Sequence, residues 1–137
     1  MTRTGPDFDA LVAAAKAGAP PQDLWRAWYS LDAHWLLGSP STPGSPFVGE
    51  VDGAGWVFLF TDSVRAFDTA PQLLGVTPEE VRAIKVHMPG AIDWLVSLGA
   101  SGVTGIRVNQ GASGFFAPLT NLVPMREYYA AEAARQG

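Results

Sequence analysis

The chain has 137 residues, which is enough for one domain of ordinary size and too few for two. Hydrophobic residues make up 47% of it and charged residues 16%, a composition that excludes a disordered chain. The net charge of −4 disfavours binding to nucleic acid or to anionic membranes. The absence of cysteine excludes disulfides, thiolate nucleophiles and cysteine-type zinc sites. No export signal or membrane span is predicted, so we expect a cytoplasmic protein.

Two helices are predicted before the first strand. Apolar residues recur at helical spacing between Phe8 and Ala15. After a glycine and two prolines, the stretch "PQDLWRAWYSL" at 21–31 places Trp25 and Trp28 on one helix face. We therefore expect a helical N-terminal extension ahead of the sheet.

The clearest strand pair is a hairpin. Extended runs at 47–51 and 56–61 flank Asp52-Gly53, a dipeptide typical of hairpin turns. Both faces of the second run are apolar, which predicts a central strand that is covered on both sides. Together with further extended runs near the middle and the end of the chain, this predicts a mostly antiparallel sheet of about five strands.

Further helices are predicted between these strands. A helix that ends near Ala70 has Val64 and Phe67 as its expected inner residues. Thr77 and Glu80 form the sequence pattern of a capping box. Another helix is expected to begin at Pro89, and a final amphipathic helix closes the chain. The mixed order of helices and strands predicts a single α+β domain over residues 1–137.

A glycine-rich stretch follows the strand predicted at 103–109. It has neither the dinucleotide-binding pattern nor the lysine of a P-loop, and the next element is predicted to be a strand. We therefore predict a turn in which Asn109, Gly111 and Gly114 supply positive φ angles. An anion site in the same backbone, around 111–114, is left open.

Three segments together resemble the SseB-like family, named after the enhanced serine sensitivity protein SseB. They are "WVFLFTDSVRAF" at 56–67, "VHMPGAIDWL" at 86–95 and "GVTGIRVNQGASGFF" at 102–116. The resemblance covers residues 34–129 and leaves the helical extension at 1–31 outside it. It implies an α+β domain of bacterial, cytoplasmic character. It implies no agreed catalytic activity, so it transfers no catalytic residues.

The residue pattern itself contains no recognisable catalytic or metal-binding motif. His34 and His87 lie in different predicted strands, and neither has the spacing of a metal ligand pair. No nucleophile elbow occurs around the serines. We therefore predict no catalytic residue, no metal and no cofactor.

Four polar residues form the first candidate binding site. If the strands that carry them are neighbours, period-two alternation places Lys85, His87, Arg107 and Asn109 on one sheet face. One interpretation is an open face that these residues solvate. The other is a contact surface for an acidic partner or a small anion, with Arg107 as a bidentate donor.

Four aromatic residues near the N-terminus form a second candidate. Trp25, Trp28, Tyr29 and Trp35 are crowded into eleven residues. They are expected either to pack onto the sheet as core or to form an exposed aromatic contact patch.

These observations favour a non-enzymatic bacterial domain that binds another protein, as an adaptor, regulator or immunity-type factor. The alternative is a domain that binds a small molecule or anion, which requires a concave pocket with convergent polar groups. An enzyme of unknown reaction is the third hypothesis. The sequence predicts no nucleic-acid or membrane partner and leaves the oligomeric state open.

Overall fold

A computed structural model describes residues 7–42, 44–88, 90–110 and 114–136. Within these residues two helices precede a mixed sheet of six strands, which confirms the α+β architecture. Most of the predicted glycine-rich turn and the helix start predicted at Pro89 lie outside the described residues. The helices are α1 (Phe8–Lys16), α2 (Gln22–Ser30), α3 (Ser63–Leu74), α4 (Gly90–Ser97) and α5 (Leu122–Gln136). The strands are β1 (Ala33–Leu37), β2 (Val48–Val51), β3 (Ala54–Phe60), β4 (Ala83–His87), β5 (Val103–Val108) and β6 (Phe115–Pro118).

The strands lie in the order β4-β1-β3-β5-β6, and β2 pairs with β3. The pair β3–β5 is parallel and the other pairs are antiparallel. Because β5 occupies one side of β3, both β1 and β2 lie on its other side. They are joined by a Gly38–Pro46 bridge and by a hydrogen bond from the Phe47 N–H to the Leu37 carbonyl at 2.9 Å. Strands β1 and β2 thus follow one another along the same side of β3.

The β2–β3 hairpin follows directly from its turn residues. Asp52 and Gly53 have φ values of 52° and 81°, so both occupy the left-handed region. A two-residue turn of this kind matches the natural twist of the strands that it connects. The predicted Asp-Gly turn is therefore confirmed, and it has only two residues.

The sheet is covered on both faces, but unequally. The four-helix face packs against α1, α2, α4 and α5, and the α3 face packs against α3. On the four-helix face the fully buried side chains include Leu36, Leu59 and Ile106. On the α3 face Phe58 and Phe60 are buried. This confirms that β3 is a central strand covered on both sides.

Helix α3 lies on the sheet through its small residues. Ala66 and Ala70 are completely buried, whereas Val64 is 68% exposed and Phe67 is 46% exposed. The prediction of Val64 and Phe67 as inner residues is therefore wrong. Large aromatic side chains already fill the α3 face of the sheet, so close packing requires small residues from the helix.

Candidate functional site

The predicted four-residue patch does not form as expected, because the strands that carry it are not neighbours. Strands β1 and β3 lie between β4 and β5, a separation of about 14 Å at the usual strand spacing. The strand registers do place Lys85 and Arg107 on the same α3 face, Lys85 opposite Trp35 and Arg107 opposite Phe58. Helix α3 packs on the strands between them. The residues are therefore separate features of one face.

Lys85 and His87 both lie on β4, which is an edge strand, and both are exposed. The Lys85 ammonium lies 5.7 Å from the centroid of the Trp35 ring, a cation–π distance. Charged residues on an edge strand discourage pairing with another chain. Lys85 and His87 are therefore exposed residues at one edge of the sheet.

Asn109 is buried, with 4% of its surface exposed, and its side chain connects two strands. Its Oδ1 accepts the Thr61 backbone N–H at 3.0 Å, and its Nδ2 donates to the Thr61 hydroxyl at 3.2 Å. Its own backbone N–H donates to the Leu59 carbonyl at 2.9 Å. Its φ is 51°, as the turn prediction requires. The amide is therefore engaged within the fold and does not face a partner.

Arg107 lies against two aromatic rings, in a cluster that we term the Arg107 clamp, consisting of Trp56, Arg107 and Phe116. The guanidinium carbon is 4.6 Å from the centroid of Trp56 and 5.2 Å from that of Phe116. The two ring centroids are 5.7 Å apart, and the rings are nearly perpendicular. Both distances lie within the range in which an aromatic ring attracts a cation. Neither Trp56 nor Phe116 was among the predicted site residues.

A glycine makes this arrangement possible. Gly105 lies opposite Trp56 on one side and opposite Pro118 on the other. A Cβ atom at position 105 would come within 2.6 Å of the Trp56 ring and closer still to the Ala117 carbonyl oxygen. The absence of a side chain therefore lets the Trp56 ring lie directly over β5, beside Arg107.

The cation of the clamp has no anionic partner among the described residues. The Arg107 Nε atom is buried without an acceptor, and the indole nitrogen of Trp56 is buried in the same way. Only the terminal Nη groups of Arg107 are left to meet a partner from solvent. Phe116 is 58% exposed, although Trp56 beneath it is 8% exposed. The clamp thus combines an exposed aromatic edge with an uncompensated positive charge.

The four N-terminal aromatic residues do not form one surface. Trp28 is completely buried, and Trp25 and Tyr29 pack partly buried beside it on the four-helix face. Trp35 lies on the opposite, α3 face. The structure thus assigns Trp25, Trp28 and Tyr29 to the core, and a shared contact patch with Trp35 does not form.

His34 is also part of this core. It is completely buried and stacks on Trp28, with ring centroids 4.2 Å apart. The Trp28 backbone is near the imidazole, but neither ring nitrogen has a partner in good hydrogen-bonding geometry. Burial lowers the pKa of His34 to about 4, and the Trp28 backbone opposes this change only in part. His34 is therefore neutral at pH 7.

A small polar cavity of about 160 Å³ lies beside the end of β5 and is lined in part by Asn109 and Gln110. Arg65 lines it, but its guanidinium is paired with Asp62 and with Asp9 at 3.1 to 3.2 Å. The cation of this cavity is thus already neutralised. Among the residues that the structure describes, no three metal-ligating side chains come together.

No family model and no curated protein matches the chain. The resemblance to the SseB-like family therefore remains a prediction. In the part of the chain that the structure describes, none of the helices has both the length and the apolar character needed to cross a membrane.

Proposed function

We propose that this domain binds another protein through the Arg107 clamp, and that the bound segment of the partner carries a carboxylate. The observation that carries the proposal is the position of Arg107, a cation in contact with the Trp56 and Phe116 rings and without an anionic partner among the described residues. Tryptophan and arginine are enriched among the residues that dominate binding energy at protein interfaces.

The chemistry of the clamp favours an acidic partner. A partly desolvated cation without a counter-charge is costly, and a carboxylate that approaches the Nη groups gains charge-assisted hydrogen bonds. Contact with the Trp56 ring restrains the guanidinium, so less side-chain entropy is lost when a carboxylate binds. On a chain with a net charge of −4, such a local positive site also orients the approach of an acidic segment.

The sheet edge beside the clamp supports an extended partner segment. Strand β6 is the last strand of the sheet, and no described strand pairs with its outer edge. Its residues are Phe115, Phe116, Ala117 and Pro118, with no charge, whereas the opposite edge strand β4 carries Lys85 and His87. Without a charge, the edge at Phe115, Phe116 and Ala117 can accept an added strand, whereas Pro118 lacks the N–H for a further hydrogen bond. A segment paired with β6 would pass Phe116 and bring an acidic side chain towards Arg107.

Binding through the Arg107 clamp agrees with the hypothesis from the sequence that the domain binds another protein. The domain acts as a non-enzymatic adaptor, regulator or immunity-type factor in the bacterial cytoplasm, consistent with the SseB-like resemblance. Binding of a small molecule or anion is the alternative, and it requires a concave pocket with convergent polar groups. The small cavity beside β5 has its arginine already paired, so it gives little support to that alternative.

The test is affinity capture of partners with the tagged protein from its host's lysate. Arg107→Met keeps the apolar packing against Trp56 but removes the charge, and Arg82→Met is the matched control at an exposed arginine outside the clamp. The proposal expects a partner that Arg107→Met loses and Arg82→Met keeps. Cross-linking should then place an acidic segment of that partner next to β6. A partner that Arg107→Met retains in full would contradict the proposal.

A further inference from the structure

A cleft of about 300 Å³ lies between α2 and α5, on the side of the sheet opposite the Arg107 clamp. The cleft shares no residue with the clamp, so it is independent of the proposed function. The residues that matter for recognition are Arg26, Tyr29, Met88, Arg126, Tyr129 and Glu132. A cleft of this size lies at the lower end of the range for small-molecule sites.

The walls of the cleft are aromatic and apolar. The Tyr29 and Tyr129 rings pack with centroids 5.5 Å apart. Their hydroxyls are engaged elsewhere, because Tyr29 donates to the Leu122 carbonyl at 2.6 Å and Tyr129 donates to the Gln22 carbonyl at 3.3 Å. Burial raises the pKa of Tyr29, so this hydroxyl remains a neutral donor. With the hydroxyls engaged, the rings and the Met88 thioether are the surfaces offered to a ligand.

One of the two arginines, Arg26, already uses its guanidinium in hydrogen bonds within the chain. Arg26 holds the Glu132 carboxylate with two hydrogen bonds, one of them 3.0 Å long from Nη2, and a third bond joins it to Asp23. The Glu132 side chain is only 14% exposed. This two-point pair joins α2 to α5, and a ligand would have to break it to reach Arg26.

The other arginine has an exchangeable partner. Arg126 donates one hydrogen bond, 3.0 Å long, to the Asp93 carboxylate. The Asp93 side chain is 70% exposed and the Arg126 side chain is 26% exposed, so this single-bond pair is a weak surface ion pair. Glu127 and Asp93 are the acidic groups that act on Arg126 most closely. A ligand carboxylate can therefore take the place of Asp93 on Arg126.

From this arrangement we infer that the cleft binds a small aromatic monocarboxylate, with its ring against Tyr29 and Tyr129 and its carboxylate on Arg126. A ligand with a single negative charge suits the cleft. Among the described residues that line it, Arg126 is the only cation that is not held by two hydrogen bonds to one carboxylate. A neutral ligand would leave Arg126 bonded to Asp93 and would gain only the apolar contacts. A dianion would face repulsion from Glu132 and Glu127.

The probe is 1-naphthylacetate, with its neutral amide, 1-naphthylacetamide, as the matched control. Binding is followed by the NMR signals of methyl-labelled methionines, since Met88 lines the cleft and Met125 does not. We expect a saturable shift of the Met88 methyl that is larger than that of Met125. The acid should bind about tenfold more tightly than the amide, as expected for one charge-assisted hydrogen-bonded pair.

Two substitutions should change this affinity in opposite directions. Arg126→Gln should weaken binding of the acid about tenfold and leave the amide unchanged. Asp93→Asn should tighten binding of the acid about threefold, because it removes the competing carboxylate. Arg135→Gln, an equal charge change at an exposed position of the same helix outside the cleft, should have no such effect.

Three results would overturn the inference. The first is the absence of a Met88 shift at millimolar 1-naphthylacetate. The second is equal affinity for the acid and the amide. The third is a loss of binding in Arg135→Gln as large as that in Arg126→Gln. The same spectra would reveal loss of folding in a variant, because the Met88 and Met125 signals would then both move to the positions of an unfolded chain.

Discussion

The side chain of Asn109, at the end of β5, holds the backbone of Thr61, at the end of β3. Its Oδ1 accepts the Thr61 N–H at 3.0 Å, and its backbone N–H reaches the Leu59 carbonyl at 2.9 Å. These bonds join the ends of the two parallel strands at the point where the chain leaves β5 in a left-handed conformation, with φ of 51°. Asparagine suits this position because it tolerates that conformation and supplies the amide.

Removing the amide should therefore destabilise the fold. Asn109→Gly tolerates the positive φ but loses the hydrogen bonds, which we expect to cost about 1–3 kcal/mol. Asn109→Ala should cost about 1 kcal/mol more, because alanine resists the left-handed conformation. Urea denaturation of both variants measures the difference. Wild-type stability in both would refute the structural role given to Asn109.

The buried imidazole of His34 predicts a pH-dependent stability. Its pKa is about 4 in the folded chain and 6.5 in the unfolded chain, so the unfolded chain binds the proton more readily between these values. The free energy of unfolding is therefore unaffected by His34 titration above pH 6.5, and it decreases as the pH falls towards 4. The loss is about 3 kcal/mol in total. Denaturation curves at a series of pH values measure it.

His34→Phe is the matched variant, since phenylalanine keeps a ring against Trp28 but cannot bind a proton. The difference in unfolding free energy between wild type and variant should change with pH only in the window from about 4 to 6.5. A constant difference across that window would show that His34 does not titrate in this way.

Gly105 should not tolerate a side chain. An alanine Cβ would come within 2.6 Å of the Trp56 ring and closer to the Ala117 carbonyl, which is backbone that cannot move without disturbing the β5–β6 pairing. We expect Gly105→Ala to cost about 2 kcal/mol or more, in the range of overpacked cores. Gly90→Ala is the control, because a Cβ there meets no atom within 4 Å. Equal stability of the two variants in thermal unfolding would contradict this packing.

The elements that could be predicted from the sequence are those fixed by local chemistry. The Asp52-Gly53 turn requires only the conformations of two adjacent residues, and both predicted N-terminal helices follow from apolar spacing. The parallel β3–β5 pair and the placement of β1 between β3 and β4 depend on contacts between distant segments. Local patterns do not specify such contacts, so the sequence could give the adjacency of β4 and β5 only as a condition, and the strand order does not meet it.

The candidate site likewise has one part that local sequence predicts and another that depends on contacts between distant segments. Arg107 could be identified as a surface cation by alternation along its strand, but Trp56 and Phe116 become its partners only through the registers of β5 with β3 and β6. One sequence feature did point to Phe116. The run "FFAP" at 115–118 follows a turn after β5, so pairing as a hairpin would place one of its phenylalanines beside Arg107.

The side of α3 that packs on the sheet was predicted incorrectly for a different reason. Apolar residues are expected inside, but Ala66 and Ala70 are buried and Val64 and Phe67 are exposed. The sheet surface beneath the helix already contains Phe60, so the helix can approach only through small side chains. Hydrophobicity alone does not reveal this requirement of volume.

The most direct test of the central claim is the affinity of a captured partner for the wild type and for Arg107→Met, measured by calorimetry. The account predicts a loss of about tenfold or more, because the variant keeps the packing against Trp56 and Phe116 but lacks the donors for a carboxylate. Arg107→Lys should recover only part of the affinity, since an ammonium lacks the planar pair of donors. Equal affinity of wild type and Arg107→Met, with both folded, would contradict the claim that the Arg107 clamp is the binding site.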